Sequence, residues 1–236
     1  MNPMSPASPS PVQLAAVIDH TALTPDTDEQ TVRRIAAEAL EHQFAAVCIN
    51  PKWVPLTASL LAGSKVAVCT VVGFPLGATT TASKVTEAAE AVDHGAEEID
   101  MVVDIADANA GKEAEVLGQI AAVASVVHRS GARLKVILET ALLSESAKEL
   151  VCRAAEEGGA DFVKTSTGFA GGGAQVEDIA LMHRMVGGRL GIKASGGIRT
   201  YQDAVRMLTA GATRIGASAS LDIVGAAQNG SDTNGY

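Results

Sequence analysis

The chain has 236 residues, a net charge of −9, a hydrophobic share of 47% and three cysteines. This acidic balance argues against a nucleic-acid-binding protein, which would carry a basic surface, and no apolar run is long enough to cross a membrane. An odd number of cysteines in apolar contexts indicates buried free thiols in a reducing compartment, and we expect a cytoplasmic protein.

The two ends of the chain differ in composition from the rest. Residues 1–10 are rich in proline and serine, without a basic start or an apolar segment, so we expect a disordered tail and not a signal peptide. Residues 227–236 are polar and rich in glycine and asparagine, and we expect a flexible tail there as well. Residues 11–226 are of a length typical of a single domain.

Eight β-prone runs alternate with helical patterns in this central part. In chain order the runs are AVIDHT, AAVCIN, KVAVCTVV, EIDMVV, RLKVILET, DFVKTST, GIKAS and TRIGAS. Four helical patterns end in a Gly-Ala step directly before such a run, at Gly95, Gly131, Gly159 and Gly211. This even repetition predicts an α/β fold, a (β/α)8 TIM barrel of one domain. The alternative is a doubly wound sheet, but the first run is not followed by G-x-G-x-x-G.

The helical patterns carry their own boundary signals. Apolar residues recur with helical spacing, as in Val32, Ile35 and Ala39. Ser144 and Thr200 stand where N-caps are expected, because their hydroxyl groups can accept a backbone hydrogen bond in the first turn. These signals predict helices that begin shortly after each strand.

In such a barrel the carboxyl ends of the strands meet at one mouth, where the chemistry takes place. The strand-end candidates are Asp19, Cys48, Asp100, Glu139, Lys164, Lys193 and Ser218. Two of them are lysines on neighbouring strands, where a buried ammonium group is costly. Each ammonium should lower the pKa of the other, and burial should lower it further. We therefore expect Lys164 to be an uncharged nucleophile for a carbonyl group, and we expect structural roles for Asp19, Glu139 and Cys48.

Small residues follow the last strands, where phosphate binds in many barrels. The turns ASGGIRT after strand seven and RIGAS after strand eight leave backbone N–H groups available, and Gly168 after strand six extends the same cradle. The five histidines are scattered, so we expect no histidine-based metal site.

Seven segments together resemble the deoxyribose-phosphate aldolase family, in order, from about residue 12 to residue 224. They are IDHTALTPD, AAVCINPKWV, EIDMVV, KVILET, DFVKTSTGF, IKASGGIRT and RIGAS. The resemblance implies a (β/α)8 lyase without metal or cofactor. Such an enzyme cleaves 2-deoxy-D-ribose 5-phosphate reversibly to D-glyceraldehyde 3-phosphate and acetaldehyde, in the catabolism of deoxyribose phosphate.

The resemblance also implies roles for individual residues. The Schiff-base lysine falls on Lys164, the second lysine on Lys193 and the proton-relay aspartate on Asp100. Phosphate contacts fall on Gly168, Gly196, Gly197, Gly216 and Ser218. Some family members end in a tyrosine that assists proton transfer at C2, which makes Tyr236 a further candidate.

Two positions depart from the family pattern. Asp104 stands where many members have asparagine, and Ala219 follows Ser218 where a second serine is common. These departures concern the loop after strand four and the affinity for phosphate.

Two other classes stay open on the sequence: a pyridoxal-phosphate enzyme, which also pairs a barrel lysine with a phosphate site, and a non-catalytic sugar-phosphate sensor. The expected partner is a small sugar phosphate, with neither nucleic acid nor membrane. The sequence leaves a monomer and a homodimer as alternatives.

Overall fold

The computed structural model describes residues 9–231, with side chains through Ala227. Within this range eight parallel strands form one closed barrel in sequence order, and the last strand pairs with the first. The strands are β1 (Ile18–Ala22), β2 (Ala46–Ile49), β3 (Ala67–Val72), β4 (Glu98–Val102), β5 (Arg133–Ile137), β6 (Phe162–Lys164), β7 (Gly191–Ser195) and β8 (Arg214–Ala217). The predicted (β/α)8 barrel is confirmed, and its closure excludes the doubly wound sheet.

Helices cover the outside of the barrel. They are α1 (Pro11–Ala15), α2 (Glu29–His42), α3 (Val54–Leu61), α4 (Thr81–Asp93), α5 (Ile105–Asn109), α6 (Glu113–Arg129), α7 (Glu145–Glu157), α8 (Val176–Val186), α9 (Tyr201–Thr209) and α10 (Ser220–Ser231). The main apolar core lies between these helices and the strands, and it buries Val32, Ile35 and Ala39 of the apolar face predicted for α2, whereas Leu40 of the same predicted face is exposed.

The predicted helix boundaries have the expected physical basis. Ser144 accepts a hydrogen bond from the first turn of α7, and Thr200 forms a capping box with Asp203 at the start of α9. The glycines of the four Gly-Ala steps have φ between 75° and 116°, a region that favours glycine and lets the chain leave one helix and enter the next strand.

Along the chain, the first and last ordered elements extend slightly beyond the predicted domain boundaries. Ser10 caps α1, and α10 continues to Ser231, five residues into the segment for which a flexible tail was expected. Residues 1–8 and 232–236, with Tyr236, lie outside the described residues. None of the helices that the structure describes has the length and apolar composition of a membrane span. All three cysteines are free and buried, as predicted.

Candidate active site

A layer of buried charged side chains fills the barrel interior. We call this set the charged layer, and its members are Asp19, Glu98, Asp100, Lys135, Lys164, Lys193 and Arg214. Each is at most 8% exposed. Since an unpaired charge is very costly to bury, these side chains must neutralise one another.

Asp100 is the centre of the charged layer. One carboxylate oxygen, Oδ2, accepts hydrogen bonds from Lys164 Nζ at 2.8 Å and from Lys193 Nζ at 2.7 Å. The other, Oδ1, accepts from Lys135 Nζ at 2.7 Å. Burial raises the pKa of Asp100, but attraction by the three ammonium groups outweighs it and holds this pKa well below the ordinary value. Asp100 is therefore a carboxylate at every physiological pH.

The same contacts correct a prediction made from the sequence. Two lysines in one cavity were expected to lower each other's pKa, and that expectation is wrong for Lys193. Burial lowers the pKa of Lys193, but Asp100 and Asp19 attract the ammonium and raise its pKa above the ordinary value. The expectation considered the two cations and omitted the carboxylates between them.

Counting charges sets Lys164 apart from the other cations. The charged layer holds three carboxylates and four basic groups, so loss of one proton would make it neutral. Lys135 lies within 4.0 Å of three carboxylates, and Lys193 contacts both Asp19 and Asp100. Within residues 9–231, Lys164 has an ion pair with Asp100 alone. Lys164 is therefore the lysine whose ammonium has the fewest carboxylate partners.

Three members of the charged layer were not predicted from the sequence: Glu98, Lys135 and Arg214. Alternate residues of a strand point to the same side, so Glu98 and Asp100 share one face of β4, and Lys135 lies opposite Asp100 in the register with β5. A charged residue at every second position of a buried strand was the available signal.

Lys135 also contacts the clusters of side chains whose spacing would suit a metal ion. Two groups within the described part of the chain have their ligand atoms within 4.8 Å of one another: Cys48 with Cys69 and Asp100, and Asp19 with Cys69 and Glu98. Lys135 Nζ lies 3.2 Å from Cys69 Sγ, 2.7 Å from Asp100 and 2.6 Å from Glu98. The cation that these groups surround is thus the ammonium of Lys135.

The predicted strand ends need a positional correction. Lys164 does end β6, but β7 continues two residues past Lys193, and Asp19 and Asp100 lie inside their strands. Lys164 and Lys193 are nevertheless neighbours, because they are opposite each other in the register between β6 and β7. The deeper position of Asp100 places it behind both ammonium groups.

A cavity of about 570 Å³ opens at the carboxyl ends of the strands. Its lining includes all the predicted site residues except Asp100 and Tyr236, namely Lys164, Gly168, Lys193, Gly196, Gly197, Gly216 and Ser218. Asp100 is fully buried behind the lysines, and Tyr236 lies outside the described residues. The two lysines and the glycine-rich turns therefore face the same space.

The glycines around this cavity serve two different geometrical needs. Gly168, Gly196 and Gly197 have φ of 87°, 85° and 78°, so the turns after β6 and β7 require glycine. Gly216 instead leaves room for its neighbour: a Cβ there would lie 3.0 Å from Lys193 Cε. Substitution at Gly216 would displace the lysine that contacts Asp100.

Two acidic residues outside the charged layer have structural contacts. Glu139 is 1% exposed and accepts hydrogen bonds from the backbone N–H of Thr167, at 3.2 Å, and from its hydroxyl group. It thereby fixes the turn that carries Gly168, in agreement with the structural role predicted for it. Asp104 caps α5 by accepting a hydrogen bond from the N–H of Asp107 at 3.0 Å.

The barrel and its lysine-lined mouth are those of an aldolase: the model of the DeoC/LacD family of aldolases matches residues 13–226, and the chain belongs to that family. It is similar to the deoxyribose-phosphate aldolase of Micrococcus luteus, with 56% identity over 219 residues that cover 90% of this chain and 96% of the relative. The deoxyribose-phosphate aldolase of Rhodospirillum rubrum is 54% identical over 212 residues, covering 90% of this chain and 88% of the relative. The resemblance predicted from the seven segments is confirmed.

A solved structure supports the same assignment. The deoxyribose-phosphate aldolase of Aeropyrum pernix superposes with a TM-score of 0.87 at 32% identity, over 93% of this chain and 92% of that chain. The barrel is therefore shared along nearly its whole length.

Proposed function

We propose that this chain cleaves 2-deoxy-D-ribose 5-phosphate reversibly to D-glyceraldehyde 3-phosphate and acetaldehyde, through a Schiff base on Lys164. The observation that carries the proposal is the position of Lys164 Nζ. Lys164 lines the cavity, and its carboxylate partner Asp100 also pairs with Lys193. We also propose a role in deoxyribose phosphate catabolism, since the chain is similar to aldolases named for that substrate.

The reaction begins with the amine of Lys164. When the charged layer has no net charge, one of its lysines is deprotonated. Lys164 has the fewest carboxylate partners to hold its proton. The neutral amine adds to the C1 aldehyde, and loss of water gives a protonated imine. The imine accepts the electron pair of the C2–C3 bond when that bond breaks, and the resulting enamine is protonated and hydrolysed to acetaldehyde. The imine itself is the electron sink, so the mechanism uses no cofactor.

Asp100 and Lys193 move the proton from the C3 hydroxyl group. With three ammonium partners Asp100 is a weak base, because attraction by Lys135, Lys164 and Lys193 holds its pKa well below the ordinary value. Deprotonation of Lys164 removes one of these cations and makes Asp100 more basic. Since Asp100 lies behind the lysines, the proton reaches it through a water molecule or along Lys193.

The turns after β6, β7 and β8 hold the phosphate group. They carry four of the five proposed contacts, Gly168, Gly196, Gly197 and Ser218, while the fifth, Gly216, lies inside β8, and all five line the cavity. Backbone N–H groups in glycine-rich turns bind phosphate oxygens without a bulky side chain. The cavity of about 570 Å³ is large enough for a sugar phosphate.

Borohydride trapping tests the central step. The protein is incubated with acetaldehyde and borohydride, and the modified peptide is identified by mass spectrometry. We expect the added mass on the peptide that contains Lys164, and none in Lys164→Ala. Labelling at Lys193 would overturn the assignment of the nucleophile. A coupled assay for D-glyceraldehyde 3-phosphate tests the substrate in parallel.

Tyr236 is proposed to assist proton transfer at C2, on the family resemblance alone. Tyr236→Phe should slow proton exchange at the methyl group of acetaldehyde and leave trapping at Lys164 intact. Exchange at the rate of the unaltered chain would remove Tyr236 from the mechanism.

A further inference from the structure

His20 is a buried histidine that the proposed chemistry does not use. It lies on β1, is 3% exposed and lines the cavity beside the turn after β8. Both ring nitrogens have partners: Nδ1 lies 2.9 Å from Ser220 Oγ, and Nε2 lies 2.7 Å from Glu38 Oε2. A ring that is held at both nitrogens is fixed in orientation.

The contacts of His20 form a chain of side chains that ends at the turn after β8. We call it the His20 chain, and its members are Arg34, Glu38, His20 and Ser220. Arg34 and His20 both donate to the carboxylate of Glu38 on α2, and Ser220 Oγ lies 3.0 Å from the carbonyl oxygen of Ala217. The chain therefore ties α2 to the segment that joins β8 to α10.

The protonation state of His20 follows from these partners. Glu38 can only accept, so Nε2 carries the proton that faces it. Burial lowers the pKa of His20, and the opposing effect of Glu38 is smaller, so the ring is neutral near neutral pH. Nδ1 is then an acceptor, and the single hydroxyl proton of Ser220 is shared between His20 and the Ala217 carbonyl oxygen.

The sequence of serine, histidine and carboxylate invites comparison with a hydrolase triad. Ser220 is completely buried and its hydroxyl proton already has two acceptors within the protein. A nucleophilic serine needs a hydroxyl group that faces the substrate. The His20 chain is therefore a support for the backbone and not a second reaction centre.

We propose that His20 positions the phosphate-binding turn and so sets the preference for phosphorylated over unphosphorylated sugars; this inference rests on the proposed function. His20 is opposite Ala217 in the register between β1 and β8. Its ring reaches the first residue of α10, and the turn in between contains Ser218. Backbone N–H donors select an anion only when they are held in a fixed geometry. Release of Ser220 would let that turn move away from the phosphate group.

The test compares two substrates in one set of variants. His20→Leu removes the hydrogen bonds of His20 to Glu38 and Ser220. Ser220→Ala removes only the hydroxyl group that contacts His20 and alters the size of the side chain less. In each we expect KM for 2-deoxy-D-ribose 5-phosphate to rise about tenfold. The loss with 2-deoxy-D-ribose should be several times smaller, so the preference for the phosphorylated sugar falls. The inhibition constant of inorganic phosphate should rise together with KM.

Two variants serve as controls. His42 also packs against Phe44, with a ring-centroid distance of 5.6 Å compared with 5.2 Å for His20, but it lies at the end of α2, so His42→Leu should retain the preference. Glu38→Gln keeps a hydrogen-bonding partner for His20, so this variant should retain most of the preference for the phosphorylated sugar.

The possible failures are distinguishable. Equal losses with both sugars, or an unchanged inhibition constant for phosphate, would overturn the positioning role of His20 while trapping at Lys164 persists. Absence of trapping in the unaltered chain would overturn the proposed function, and this inference with it.

Discussion

Two regions of the molecule bury lysine side chains, and they differ in whether the groups that contact the lysine are charged or neutral. In the charged layer, Lys135 and Lys193 are completely or almost completely buried against carboxylates. Outside the barrel, Lys84 on α4 is just as buried, but its Nζ donates to the carbonyl oxygen of Val102 at 2.7 Å and to the side-chain oxygen of Gln119 at 2.9 Å. Its direct partners are neutral.

The pKa values follow the partners. Burial lowers the pKa of Lys135, but the combined attraction of Asp100, Cys69, Glu98 and Asp19 outweighs it, and the pKa is raised well above the ordinary value. Burial lowers the pKa of Lys84 to about 8, because the charges of Asp104 and Glu87 only partly compensate. Burial alone thus does not give a lysine a reactive, uncharged amine. The charge of the groups it contacts decides.

Removal of Lys135 gives the largest expected effect. Lys135→Met keeps most of the volume but removes the cation that Asp100 and Glu98 share, and removing one partner of a buried ion pair costs about 3–5 kcal/mol. Chemical denaturation at neutral pH measures the loss. Lys112→Met is the control, since Lys112 is 52% exposed in its pair with Asp107 and an ion pair in contact with solvent contributes little to stability. Equal losses in the two variants would contradict the importance of the charged layer.

Removal of Lys193 tests the balance of charge around the nucleophile. In Lys193→Leu the carboxylates Asp19 and Asp100 lose a shared cation, so the remaining negative charge holds the proton of Lys164 more firmly. We expect turnover to fall about 10²-fold to 10³-fold and the pH–rate profile to move to higher pH. Steady-state rates across the pH range check both. A profile at its original position would show that the two lysines are not coupled.

Lys84 should make the fold more stable as the pH rises, because its pKa is lower in the folded chain than in the unfolded chain. Its pKa is about 8 in the folded chain, whereas a free lysine side chain has a pKa of 10.5. Between these values the unfolded chain holds a proton that the folded chain lacks, so raising the pH stabilises the fold. With solvent screening, we expect about 1–2 kcal/mol across this window.

The comparison of the unaltered chain with Lys84→Met isolates this contribution, because other groups titrate in both. The difference in unfolding free energy should grow from pH 8 to pH 10.5. Lys65→Met, at an exposed position, should give a flat difference. For Lys135 the sign is reversed: its raised pKa gives stability that is present below 10.5 and is lost as the pH rises further.

The smallest effect is expected at Asp104, one of the departures from the family pattern. Asparagine caps a helix about as well as aspartate, so Asp104→Asn should change stability by less than about 0.5 kcal/mol. The charge of Asp104 raises the pKa of Lys84, so its removal should move the onset of the Lys84 window below pH 8. The same pH series measures the shift. An unmoved onset would show that Asp104 does not act on Lys84.

Much of the fold could be predicted from local patterns. The Gly-Ala steps and the N-caps at Ser144 and Thr200 mark where helices begin and end, because these signals act within a few residues. The exact strand ends were harder to predict. The run at GIKAS was expected to end near Lys193, but the hydrogen bonds of the barrel extend β7 to Ser195.

The sequence by itself determined the repeat of strands and helices, the nearness of Lys164 and Lys193 on neighbouring strands, and the family. Each of these depends on residues that are close in the chain or on a linear motif. The closed barrel alone decided which charges meet: it brings Asp100 against three lysines and Arg214 against Asp19, 195 positions apart. Coulomb energy depends on distance in space and on the local dielectric, and neither follows from the order of residues. For this reason the raised pKa of Lys193 and the role of Lys135 emerged only from the tertiary structure.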